Sequence, residues 1–296
     1  MALLINHNLM AQNAAGNLAA AYKSLSKSVR KLSSGLRVST AADDAAGLAV
    51  SELMRANVAV LNQGVRNAND AISLVQTADG ALAVIDEKLI RMKELAEQAS
   101  TGTYTTAQRL IIDSEYQAMA SEITRIANST DFNGIYLLNG SLSSDTHSGS
   151  ALLPTGKLLV HFGAGNDSKE DYYYVRIETS TASAFGVGNQ SARDAGYAVS
   201  TQAAAQDALD AVDAAIVSKD RIRASLGAIQ VRLEGTVSNL QIQSENLQAA
   251  EAQIRDVDVA TEMTEFVRQQ IIAQSATAML AQANVMPRLA LQLLGV

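Results

Sequence analysis

The sequence predicts a mainly α fold: a long antiparallel coiled-coil-like helical rod with a small β-hairpin region and with its N- and C-termini paired. Three observations carry this. Only two prolines, Pro154 and Pro287, interrupt 296 residues, so long stretches run without the residue that breaks helices. Apolar residues reach 48% while aromatics reach only 4%, with no Trp, so the apolar content is Ala, Leu, Val and Ile rather than globular-core ring bulk. The pattern also runs helix-rich, strand-rich, then helix-rich again.

The first helix carries Leu18, Tyr22, Leu25, Val29 and Leu32, an alternating three-and-four spacing of coiled-coil type. It stops at Ser33-Ser34-Gly35, a terminator. Thr40, three positions before Asp43, is the expected capping start of the second helix. That helix is long. Its seam reads Leu61, Val65, Ala68, Ile72, Val75, Asp79, Leu82, Ile85, Leu89, Met92 and Ala96, with Asp79 as one polar interruption. Ser100-Thr101-Gly102 ends it, and a third helix is expected over roughly 105–129.

Phe132-Asn133-Gly134 then opens a turn-rich region. Alternation at 158–162 and again at 173–177 predicts two strands, with turn chemistry at 163–167 between them. Residues 140–156 read as a polar surface loop. From about 199 the helical period returns through Leu209, Val212, Ile216, Ile222, Leu226, Ile229, Leu233 and Leu240. After Ile254 the chain is apolar on nearly every helical face, including Val267, Ile271, Leu280, Leu291, Leu293 and Leu294.

The two ends demand partners. Five large side chains contribute on the order of 10 kcal/mol when buried, whereas ordering a helix of this size costs roughly 1–2 kcal/mol per residue before hydrogen bonds. Pairing the two end helices satisfies one seam. A helix apolar all round needs cover on several sides, which further copies of the chain would supply. An ordinary helical bundle with paired ends is the plainer alternative.

Other function classes find little support. The net charge is −7, and the N-terminal basic residues Lys23, Lys27, Arg30, Lys31 and Arg37 are spread along a helix, so no nucleic acid is expected as a partner. There is no cysteine, no uninterrupted apolar run long enough to insert in a membrane, and no pattern of a cleaved signal peptide at the start. His7, His147 and His161 form no metal motif, and Asp145-Thr146-His147-Ser148 is a loop run rather than a preorganised triad. Neither Gly163-x-Gly165 nor Gly186-x-Gly188 completes a dinucleotide fingerprint. Asp43-Asp44 suits an acidic first helix turn better than a metal. The expectation is no catalysis, no metal and no cofactor.

Several separated stretches resemble the bacterial flagellin family. They are Ile5-Asn6-His7-Asn8, Leu32-Ser33-Ser34-Gly35-Leu36-Arg37, Ala42-Asp43-Asp44-Ala45-Ala46-Gly47-Leu48-Ala49, Lys93-Glu94-Leu95-Ala96 and Asp131-Phe132-Asn133-Gly134. Near the C-terminus, Asp256-Val257-Asp258-Val259-Ala260-Thr261-Glu262 and Leu280-Ala281-Gln282-Ala283-Asn284 continue the likeness. The resemblance implies a secreted subunit that polymerises into the flagellar filament for motility. It implies an inner coiled-coil domain of residues 1–44 with 251–296. The outer core domain would take 45–185 with 195–250, its β-region at 132–180. A short link at 186–194 stands where larger relatives carry outer domains. The assembly residues are then Leu18, Tyr22, Leu25, Val29, Leu32, Val267, Ile271, Leu280, Leu291, Leu293 and Leu294. Implied partners are further copies of itself, a flagellar secretion chaperone of the type III export route, and the cap and hook-associated proteins. The family is also a ligand of Toll-like receptor 5, and its recognition motif falls here on Arg91, Leu95 and Glu115. The C-terminal leucines resemble the part read by inflammasome sensors, with Gly295-Val296 as a departure. A hook–filament junction adaptor is the alternative within this group.

Overall fold

The structure is a computed structural model. It describes residues 8–144, 156–168, 170–188 and 197–293, the last six of them by backbone alone. Within these residues the chain is dominated by five helices: α1 (Leu9–Ser34), α2 (Ala45–Ser100), α3 (Thr106–Ser129), α4 (Gln202–Arg255) and α5 (Val259–Leu293). Two small antiparallel hairpins lie between α3 and α4 in sequence: β1 (Asp131–Phe132) with β2 (Ile135–Tyr136), and β3 (Leu158–His161) with β4 (Tyr172–Val175). The mainly α architecture with a small β-region is as the sequence predicts.

Local chemistry sets most boundaries. The Asn8 side chain accepts from the Ala11 amide at 3.0 Å and starts α1, which ends at Gly35 as expected. Thr105 and Gln108 form a reciprocal capping box at the start of α3. Asp258 accepts from the Ala260 amide at 3.0 Å and the Thr261 hydroxyl at 2.7 Å, which opens α5. At the start of α2 the structure departs from the expected Thr40–Asp43 cap. Asp44, not Asp43, accepts from the Gly47 amide at 2.9 Å. Asp43 lies in the turn before the helix and binds outward to other groups, as described below.

Where the sequence predicts only a turn, β1 and β2 form a hairpin. Asn133 and Gly134 both take positive φ, 52° and 81°, the backbone of a two-residue turn whose twist suits the flanking strands. The Gly134 amide donates to Asp131 at 3.0 Å. The β3–β4 pair matches the predicted strands, but its connection runs from Phe162 to Asp171. Asp171 accepts from the amides of Gly165 and Asp167 and organises that longer loop.

The chain forms two compact units, one of residues 1–58 with 245–296 and one of residues 59–244. In the first, α1 packs antiparallel on α5: Asn8 donates to the Ala283 carbonyl at 2.8 Å, and Lys31 reaches Glu262 at 3.1 Å. The helix-breaking segments 35–38 and 255–258 meet edge to edge. Leu36 bridges Asp256, the Arg37 amide donates to the Arg255 carbonyl at 2.6 Å, and the Val257 amide donates to the Gly35 carbonyl at 3.0 Å.

In the second unit, α2 and α4 run antiparallel, as the pairs Asn62–Ser244, Asp79–Arg223, Asp86–Lys219 and Lys93–Asp213 require. The buried seam of α2 is Leu61, Gly64, Ala68, Ala71, Val75, Ala78, Leu82, Ile85, Leu89, Met92, Ala96 and Ala99. It follows the coiled-coil spacing, with one correction. Val65, Ile72 and Asp79 lie beside the seam, half-buried, and the small residues before them occupy it. On α4, likewise, Ala208 and Ala215 are buried where the spacing predicts Leu209 and Ile216. Small seam residues let helix backbones approach closely, and the larger neighbours then flank the contact.

The β3–β4 hairpin docks on this unit through Gly64. A side-chain carbon there would lie 2.0 Å from the Phe162 carbonyl oxygen. Asn67 donates to the His161 carbonyl at 2.8 Å, and Arg232 of α4 lies 3.5 Å over the Tyr173 ring.

Candidate assembly surface

The α1–α5 pair repeats the small-residue pattern. Ala21 and Ser28 of α1 and Ala273 and Ala283 of α5 are the buried positions. Leu18, Leu25 and Leu32, three of the five expected seam residues, are half-buried beside them. The other two are not in the intrachain contact: Tyr22 is 53% exposed and Val29 48%. On α5, Leu280 is half-buried, whereas Val267 and Ile271 face outward, Ile271 at 56% exposure. Leu291 and Leu293 belong to the last turn of α5, but their side chains, together with Leu294, lie outside the described residues.

The pair thus leaves apolar surface on both helices. Met10, Tyr22 and Val29 of α1 and Met263, Val267, Ile271, Ile272 and Met279 of α5 are all exposed. An open groove of about 690 Å³ runs between the helices, lined among others by Met10, Asn17, Ala21, Gln269, Ile272 and Met279.

Asp43 anchors the base of α1. Its carboxylate takes Lys27 at 3.0 Å and Arg30 at 3.9 Å, and it accepts from the Ser39 and Thr40 hydroxyls. The Lys27 ammonium first, then the Thr40 hydroxyl, hold this carboxyl far below the usual carboxylate range. The spacing of Asp43 from Thr40 had suggested only a cap. The motif's second acid, Asp44, supplies that, which frees Asp43 to hold the preceding helix.

The three residues of the expected receptor motif separate into two environments. Arg91 of α2 donates from Nε and Nη2 to Glu115 of α3, at 2.9 and 2.7 Å, and from Nη1 to Glu94 at 2.9 Å. Both ends of this bridge are exposed. Glu115 and then Glu94 raise the Arg91 guanidinium above its ordinary value. Leu95 is 1% exposed and belongs to the interior of the unit. Arg91 and Leu95 are four apart, but Arg91 stays at the surface while Leu95, beside the seam residue Ala96, is buried.

His161 stacks on Tyr172, Tyr173 packs on Phe162, and Lys157 lies 4.1 Å over the Tyr174 ring. His147 lies outside the described residues. Among the described residues no cluster of three His, Asp or Glu side chains suits a metal ion, and no helix is long and apolar enough to cross a membrane.

Comparison with known proteins adds two matches along the chain. The profile of the bacterial flagellin N-terminal helical region matches residues 5–143, and that of the bacterial flagellin C-terminal helical region matches residues 209–294. The sequence is 41% identical over 295 residues to a flagellin of Halalkalibacterium halodurans, covering 99% of this chain and 100% of that one. It is 42% identical over 307 aligned positions to a flagellin of Bacillus subtilis, covering 98% and 99%. Identity to the flagellar filament 33 kDa core protein of Treponema phagedenis is 41% over 286 residues, covering 95% and 96%.

Proposed function

The chain belongs to the bacterial flagellin family and is a structural subunit of the flagellar filament; from that premise we propose that the outward apolar face of the α1–α5 pair is the surface on which neighbouring copies stack. The observation that carries this is the exposure of Tyr22 and Val29 on α1 and of Val267, Ile271, Ile272 and Met279 on α5 of the same pair. A head-to-tail contact of this kind, repeated without closing, generates a helical filament. Residues 1–44 with 251–296 act as the inner domain of that filament. Residues 45–185 with 195–250 form the outer core, joined through the link at 186–194. The subunit is exported to the cell exterior, and the same apolar face is what a secretion chaperone covers and what the cap and hook-associated proteins meet. The role is structural rather than catalytic.

The test is negative-stain electron microscopy of the purified full chain after seeding, against Val267→Ser/Ile271→Ser. Long filaments from the native chain and soluble monomer from the variant support the reading. Filaments from both would overturn the assigned face. Short rings in place of filaments would point to the junction adaptor.

We also propose recognition by Toll-like receptor 5 through the exposed Arg91–Glu115 bridge, with Leu95 supporting α2 from within. Receptor-reporter activation by the monomer should fall on Arg91→Ala while the helical content stays native. Leu95→Ala should lower thermal stability along with activation. An inactive native chain would sink this reading and leave the filament reading untouched.

A further inference from the structure

The apolar seam between α2 and α4 leaves their register ambiguous. Buried positions on α2 recur at Leu61, Ala68, Val75, Leu82, Leu89 and Ala96, and again at Gly64, Ala71, Ala78, Ile85, Met92 and Ala99. On α4 the buried positions are Ala205, Ala208, Val212, Ala215, Lys219, Ile222, Leu226, Leu233, Leu240 and Ser244. The α2 positions repeat by sevens, as do Ala205, Val212, Lys219, Leu226, Leu233 and Leu240 and also Ala208, Ala215 and Ile222 on α4, with Ser244 outside the repeat. Sliding one helix along the other by a heptad, roughly 10 Å at 1.5 Å per residue, therefore sets apolar side chains against apolar side chains again. Repetitive seams of this kind need another device to select one alignment.

Within residues 59–244 three ion pairs cross this interface; a fourth pair between the two helices, Glu52 with Arg255 at 3.1 Å, lies in the other unit. Asp79 meets Arg223 at 2.7 Å, Asp86 meets Lys219 at 2.6 Å, and Lys93 meets Asp213 at 2.5 Å. The residues on α2 are one heptad apart and read acid, acid, base, while those facing them read base, base, acid. The sign change between the second and third rungs makes the pattern directional. A slide that brings Lys219 opposite Lys93 keeps one attraction, Asp86 with Arg223, and creates one repulsion. The reverse slide brings Asp213 opposite Asp86, again one repulsion, and retains only Asp79 with Lys219. The observed alignment alone satisfies all three rungs. Lys219 sharpens the choice because it occupies a seam position, with a side chain only 3% exposed. In the first slide that buried ammonium would lose Asp86, its facing carboxylate, and keep only Asp220 of its own helix, an arrangement low-dielectric surroundings penalise.

We propose that the Asp79–Arg223, Asp86–Lys219 and Lys93–Asp213 ladder is a register lock that selects one heptad alignment of α2 and α4 from alternatives the apolar seam accepts. The competing device is the β3–β4 hairpin, which touches α2 at Gly64 and Asn67 and α4 at Arg232. A hairpin clamp is insensitive to the signs on the ladder; a charge lock is not.

The chain has no cysteine, so engineered pairs report alignment without background. Asn62 and Ser244 are 3.2 Å apart in the observed register. Asn62→Cys/Ser244→Cys therefore reads that register, Asn69→Cys/Ser244→Cys reads the first slide, and Asn62→Cys/Val237→Cys reads the second. In the full chain, mild oxidation followed by peptide mapping should give the disulfide from the first pair and little from the other two. Adding Asp79→Ala/Lys93→Glu leaves one attraction and one repulsion in the observed register and offers two attractions in the first slide. The Asn69/Ser244 disulfide should then become the major product. If the Asn62/Ser244 disulfide remains dominant in that background, the hairpin, the seam or the Glu52–Arg255 pair sets the register and the proposal fails. Should this variant lose its helical circular dichroism, Lys93→Ala/Asp213→Ala decides, because it removes both repulsive contacts at a half-exposed rung. Slipped disulfides must then rise above the native chain and rise further in molar salt, where screening acts over about 3 Å. A yield equal to that of the native chain overturns the lock.

Discussion

Gly64 and Gly80 lie on the same helix and answer opposite demands. The carbonyl of Phe162 fills the space beside Gly64, whereas nothing lies within 4 Å of a side-chain carbon at Gly80. Gly64→Ala should therefore push the hairpin backbone off α2 and cost about 1–3 kcal/mol. Gly80→Ala should stabilise the helix by about 0.5–1 kcal/mol. Urea unfolding of the two variants beside the native chain checks both signs. Asp43 supplies a pH-dependent counterpart. Its carboxyl is lowered in the folded chain, so its contribution is complete above the ordinary carboxylate value and is lost as pH falls through the lowered one. The contribution of Asp43's hold on Lys27 and Arg30 should therefore fall progressively as pH drops below the ordinary carboxylate value. Asp43→Asn should flatten the loss of α1 amide protection between about pH 4 and pH 2, measured by hydrogen exchange. An acid profile identical to the native one would exclude Asp43 as the titrating group.

The heptad period is plain in the amino-acid pattern, yet at several places the phase shifts by one residue toward a small residue that precedes a large one. Tyr22 and Val29 yield to Ala21 and Ser28, Ile72 to Ala71, and Leu209 and Ile216 to Ala208 and Ala215. Reading by side-chain size favours the larger residue, because size measures what burial would gain. Packing favours the smaller one when two long helices lie close, because dispersion contacts then accumulate along whole backbones. The displaced large residues become the outward surface. Tyr22→Ser/Val29→Ser should accordingly change monomer stability by no more than about 0.5 kcal/mol and should still abolish filament growth. Ala21→Leu/Ser28→Leu should do the reverse first, separating α1 from α5 in the monomer. Circular dichroism melts with sedimentation of the polymer distinguish the two.

For the whole molecule, the balance lies between apolar contact and like charge. Each copy carries a net charge of −7 and presents the exposed α1–α5 face. Salt screens the repulsion between copies, and excluded salts such as sulfate strengthen burial of the apolar face. Polymerisation of the full chain should therefore speed up in sulfate more than in chloride at equal ionic strength, followed by light scattering. Equal acceleration by both salts would mean that screening alone governs assembly.

The amino-acid pattern by itself determined the helix-rich class, the third helix, the terminator at Gly35, the β3 and β4 strands and the need of the two ends for a partner. Each rests on neighbours in the chain: hydrophobic period, turn residues and caps act within a few positions. Tertiary structure alone decided what depends on distant residues. It chose Asp44 over Asp43 as the cap because Lys27 and Arg30 claim Asp43. It turned Asp79 from an interruption of the seam into a rung of a ladder because Arg223 stands opposite. It buried Leu95 while leaving Arg91 and Glu115 at the surface. In each case the partner lies on another helix, and a local pattern carries no information about which residue a second helix will bring alongside.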